Sequence, residues 1–249
     1  MTKLYLTTGL LLTTTLGWAQ PGTLKGSFVL SEEGQLSSNQ PMAGLAALNF
    51  SDNGSVTGMK IMQSPGTLTR ASVQGAYTLN ADGTGTLSLL VTAIPSDSES
   101  QPWSENFRLM ADAREITAIR TDSGVLTLAQ LTPAGGAGEV KGSYLMVEKG
   151  KTQPYTGLGT YNFDGAGGVW GHQMVGTVGA LSVFDWRGNY WWGADGFGML
   201  TVSASLPGGT NEDPAGTASA SYIFLATANE LKALRVDVPL NSVSNFRHQ

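Results

Sequence analysis

The chain carries one segment twice. Gly75-Ala76-Tyr77-Thr78-Leu79-Asn80-Ala81-Asp82-Gly83-Thr84-Gly85 returns as Gly188-Asn189-Tyr190-Trp191-Trp192-Gly193-Ala194-Asp195-Gly196-Phe197-Gly198, or G-x-Y-x-x-x-A-D-G-x-G both times. The match extends without a gap over Gly44 to Leu87 against Gly157 to Leu200. Lys25-Gly26-Ser27-Phe28 before it answers Lys141-Gly142-Ser143-Tyr144. Ala111, Glu115, Ala118, Arg120 and Asp122 after it answer Ala226, Glu230, Ala233, Arg235 and Asp237. A duplication restricts the fold more than any single strand does, because both copies must fold alike. Each copy spans about 110 residues, the size of one small domain. The expected division is a signal segment at 1–19, a first repeat at 20–132, a Gly-rich linker at 133–138 and a second repeat at 139–249.

Hydrophobicity alternates with period two through both copies, and Gly, Asn-Gly and Asp-Gly punctuate it. The pattern predicts an all-β protein whose short connections form hairpins. About eight strands in about 110 residues can close into a small barrel with no free edge. Two tandem up-and-down antiparallel barrels are therefore expected. One larger barrel or sandwich built from both repeats would give the same alternation. No stretch reads as an amphipathic helix or as a transmembrane helix.

Lys3, the apolar run from Leu4 to Leu16 and the small residues of Gly17-Trp18-Ala19 read as a secretory signal, with Gln20 the first mature residue. The chain has no Cys, which excludes disulfides and thiol chemistry. A signal segment without Cys favours a bacterial secreted or periplasmic protein. Charged residues are 13% of the chain, against about 25% in an average soluble domain. The net charge of −5 gives no basic patch for nucleic acid.

The residues Asp82, Gly83 and Gly85, with Asp195, Gly196 and Gly198, read as structural turns: Gly accepts positive φ and Asp caps the turn backbone. A calcium ion wants six to eight oxygens. Each turn offers one carboxylate, so no metal is expected. The repeated Glu-x-x-x-x-Arg-x-Asp places Arg and Asp on one strand face. A shared structural role fits it better than an anion site.

Copy two replaces aliphatic residues with aromatic ones. Thr57, Met59 and Ile61 become Trp170, His172 and Met174; Val73, Tyr77 and Leu79 become Trp186, Tyr190 and Trp192. If both faces point inward, the second interior is lined with aromatic rings and one imidazole, suited to a small apolar or glycan-like ligand. Trp170, His172, Trp186, Tyr190 and Trp192 are the expected contacts. His172 is also the one plausible catalytic base, but no G-x-S-x-G accompanies it. No catalytic set and no cofactor are expected. The loops at Ser96–Pro102 and Pro207–Pro214 occupy equivalent places and would lie at the barrel mouths.

The G-x-Y-x-x-x-A-D-G-x-G segment, with a Phe-x-x-x-Gly turn before it at Phe50 to Gly54 and Phe163 to Gly167, resembles repeats of uncharacterised secreted proteins of environmental bacteria. The resemblance implies an exported β-protein and carries no activity. Three readings of function follow: an exported non-catalytic binding protein, a structural or adhesive envelope component, or a barrel-type isomerase or lyase using His172.

Overall fold

The computed structural model describes residues 23–94, 101–112, 115–135, 140–151, 154–193, 196–205, 217–227, 229–237 and 243–249. The expected signal segment, most of both mouth loops and Asp195 lie outside them. The chain forms two successive closed antiparallel barrels of eight strands each, which rules out the single large barrel. The first contains β1 (Gly26–Leu36), β2 (Pro41–Phe50), β3 (Ser55–Ser64), β4 (Thr67–Leu79), β5 (Thr84–Ile94), β6 (Trp103–Ala111), β7 (Ile116–Arg120) and β8 (Val125–Pro133). The second contains β9 (Lys141–Gly150), β10 (Tyr155–Asp164), β11 (Gly168–Thr177), β12 (Ala180–Trp192), β13 (Gly198–Ser205), β14 (Thr217–Ala226), β15 (Glu230–Arg235) and β16 (Val243–His248). Each strand pairs with its sequence neighbour, and the last closes on the first. Among the described residues there is no helix, so none is long and apolar enough to cross a membrane.

Each barrel has a sealed end, here called the floor, and a polar end, the rim. The repeated Tyr of G-x-Y builds the floor. Tyr77 Oη donates to Leu24 O at 2.5 Å and accepts from Leu24 N at 3.0 Å. In the second barrel Tyr190 Oη donates to Val140 O at 2.8 Å. The incoming segment thus caps the barrel, with Leu24 N and O and Val140 O given partners. Phe28, Phe50 and Tyr77 pack edge to face beneath the first segment, as do Tyr144, Phe163 and Tyr190 beneath the second. The Asp82-Gly83 turn is held by its own side chain. Asp82 Oδ1 accepts from Thr84 N and Oγ1, and Gly83 and Gly196 both stand at φ +84°.

The barrels pack against each other through a third apolar cluster. Val29, Ala43, Leu45 and Ile61 on the outside of β1–β3 meet Phe197, Leu225 and Leu234 of the second barrel. Gln63 Nε2 donates to Arg235 O at 2.9 Å, Glu33 accepts from Val243 N, and Lys151 pairs with Glu33 at 2.8 Å. The start of the expected linker is also paired: Ala134 bridges Thr227, and Gly135 N donates to Ala226 O.

This joint corrects one sequence expectation. Met59 and Ile61 form an apolar alternation but point out of the barrel, into the joint. Val56 and Lys60 point inward instead. Period-two alternation marks a buried face without saying whether a core or a neighbouring barrel buries it. Trp170, His172 and Met174, at the matching positions, are therefore on the outer surface of the second barrel.

Candidate functional site

The rim half of the first barrel is filled by charges of opposite sign paired with one another. Lys60, fully enclosed, pairs with Glu32 at 2.5 Å and with Glu105. Arg120 enters from β7, reaching Glu105 at 3.2 Å and Asp122 at 2.7 Å. Trp103 Nε1 donates to Glu105 Oε1 at 3.1 Å, and Asn106 donates to Asp122 from its backbone and side chain. Burial works against the charged form of Glu105. The Lys60 and Arg120 charges outweigh it and hold the carboxyl below its ordinary range.

The repeated Arg-x-Asp is thereby explained. The Asp clamps the Arg so that its guanidinium enters the rim and meets a buried carboxylate. Arg235 does the same, donating to Asp237 at 3.0 Å and approaching Glu148 at 3.9 Å. These guanidinium groups are engaged by the protein's own carboxylates, so an external anion is not what they hold.

The second barrel keeps the plan and changes its chemistry. Glu148 takes the place of Glu32, Gln173 that of Lys60, and Ala220 that of Glu105. Glu148 accepts from Ser244 Oγ at 3.2 Å, Tyr222 Oη at 3.3 Å and Gln173 Nε2 at 3.4 Å. Tyr161 Oη donates to Gln173 Oε1 at 3.1 Å. With one cation near it where Glu105 has two, Glu148 is pushed by burial above the ordinary carboxyl range; Arg235 offsets this only in part. Burial, and the nearness of Glu148, raise the Tyr155, Tyr161 and Tyr222 hydroxyls as well, so all three remain donors.

Two buried polar atoms of the second barrel lack a well-formed hydrogen bond: Tyr155 Oη and Trp186 Nε1. The Tyr155 hydroxyl lies beside Glu148 and Arg235, and both act on it. Trp186 stacks on Phe184 with ring centroids 5.4 Å apart. Their counterparts in the first barrel are the apolar Met42 and Val73, both buried. Barrel two has thus gained two buried donors at positions where barrel one has none.

The five expected ligand contacts do not form one site. Trp186 is buried in the core of the second barrel. Tyr190 is committed to the floor. Trp192 packs against Phe224 near the floor and lines a cleft of about 450 Å³ between the barrels, together with Ala47, Asn49, Thr57 and Leu225. Trp170 is half-exposed on the outer wall. His172 is also outside, its Nδ1 bonded to Asp185 across the β11–β12 ladder. Among the described residues no group of three or more His, Cys, Asp or Glu could hold a metal ion.

The sequence reading missed Glu148, Tyr155, Gln173 and Tyr222. A signal existed for the first: Glu32 and Glu148 stand at the same distance from the repeated Lys-Gly-Ser-aromatic block. Both lie within long strands, which run on to Leu36 and Gly150. Comparison with known proteins adds no assignment: no family model, no curated protein and no solved structure matches the chain.

Proposed function

We propose that the protein is an exported, non-catalytic binding protein whose second barrel holds a small hydroxyl-rich, glycan-like molecule in its rim chamber. The observation that supports this most is Trp186 Nε1, a buried donor without a hydrogen-bond partner, in the same barrel as the Tyr155 hydroxyl and its neighbour Glu148. A buried donor left unsatisfied costs about 1–3 kcal/mol. A ligand rich in acceptor oxygens would remove that cost, and the Phe184 and Trp186 rings offer apolar faces to a sugar ring. The Lys3 to Ala19 segment supports export. Catalysis has little support. His172 is exposed outside the barrel with Asp185 as its partner, remote in kind from an enclosed reaction site.

Intrinsic Trp fluorescence, titrated with mono- and disaccharides, tests the reading. Trp186→Val and Tyr155→Met restore the residues of the first barrel. Each is expected to weaken binding by about tenfold or more, equivalent to about 1.4 kcal/mol. Trp170→Thr, on the outer wall, should leave affinity unchanged. Wild-type affinity in Trp186→Val, or no saccharide response alongside a bare mass in native mass spectrometry, would sink the proposal.

A further inference from the structure

The joint between the barrels is made from two unlike faces. The first barrel contributes the outside of β1–β3, and the second contributes the outside of β14–β16. Because the barrels are copies, each also carries the face that the other used. Both spare faces keep an exposed aliphatic row, with Thr84 and Arg108 standing where the joint has Phe197 and Ile223.

The spare copy of the first face is on β9–β12. Leu45 and Ile61 are at most 4% exposed in the joint, while their counterparts Leu158 and Met174 are 43% and 45% exposed. Cross-strand pairing extends them into one row, Val147–Leu158–Met174–Val183, across four strands. The spare copy of the second face is on β6–β8. Leu225 and Leu234 are at most 3% exposed, while their counterparts Met110 and Ile119 are 68% and 52% exposed. Ile119 pairs with the exposed Leu128, as Leu234 pairs with Val243 in the joint.

Aliphatic rows on the outside of a closed barrel have no role in its own core. Rows of this kind mark interaction surfaces. We infer that the β9–β12 face of one molecule docks on the β6–β8 face of a second copy, repeating between chains the joint that already exists within the chain. The partner is identified by that joint, since the chain itself shows what covers each of these two faces. The contact is heterologous, so it propagates head to tail until it closes a ring or extends as a fibre. It is also weaker than its template. The clasping residues Gln63 and Glu33 correspond to Gly176 and Lys149, which cannot repeat their hydrogen bonds. Association should therefore be reversible on dilution.

Two variants test the inference by light scattering on a sizing column up to roughly 100 μM, far above the micromolar constant of an ordinary weak interface. Leu158→Glu with Met174→Glu disables the first spare face; Ile119→Glu with Leu128→Glu disables the second. All four side chains point outward, and circular dichroism checks that the barrels are retained. If a Glu pair unfolds the chain, the corresponding Ser pair replaces it. The wild type should gain mass with concentration, and each variant alone should stay monomeric. Mixed one to one, the variants should form a dimer, because each keeps the face that the other lost. A monomeric wild type over the whole range, a single variant that still associates, or a mixture that stays monomeric would each overturn the inference. None of these readouts depends on a ligand in the rim chamber.

Discussion

Lys60 stands between Glu32 and Glu105 inside the first barrel, with all three side chains shut off from solvent. Two enclosed carboxylates at one site repel each other, and the lysine permits both to be charged. Replacing it is therefore worse than replacing the whole set.

Lys60→Met should destabilise the first barrel by about 3–5 kcal/mol, the usual result of leaving buried charge without its partner. Combining it with Glu32→Leu and Glu105→Leu should recover most of the loss. Urea unfolding of the three proteins checks this.

The two floor latches are unequal, and their removal should show it. Tyr77→Phe strands both the N–H and the carbonyl of Leu24, whereas Tyr190→Phe strands only the carbonyl of Val140. Each stranded buried group costs about 1–3 kcal/mol. Tyr77→Phe should therefore have the larger effect, measured as a shift of the unfolding midpoint.

The barrels should respond to acid in opposite directions. Glu105 has a lowered carboxyl, so its stabilisation is present above the ordinary Glu value of about 4.3 and is lost as pH falls through its folded value. Glu148 has a raised carboxyl, so its folded form binds a proton that the unfolded chain has released. Its stabilisation is full below about 4.3 and is lost as pH rises through the folded value. Amide hydrogen exchange, followed strand by strand between these limits, should show barrel two gaining protection on mild acidification. Glu148→Gln should abolish that gain.

Much of this architecture was legible in the chain. Tyr77 and Tyr190, the Asp-Gly turns and the period-two strands gave two equal barrels, because turn chemistry and alternation are local. The chamber was harder to see. Lys60 lies among apolar neighbours, and alternation alone puts Met59 and Ile61 inside; only the joint with the other barrel reverses them. The same inversion carried Trp170 and His172 to the outer wall. Tyr155, Gln173, Tyr222 and Ser244 meet Glu148 from β10, β11, β14 and β16, a convergence that depends on closure of the barrel and leaves no mark in sequence spacing.

The floor latch also has a mechanical consequence. The segment feeding the first barrel is held at Leu24 by one phenol hydroxyl, and the segment running from the first barrel into the second is held at Val140 by another. A pull on the chain entering at Leu24 would load the Tyr77 bond before the β1 ladder, and a pull on the chain entering at Val140 would load the Tyr190 bond before the β9 ladder. Each tyrosine is thus a strain relief, shielding the first strand of its barrel from being peeled away by a pull on the chain.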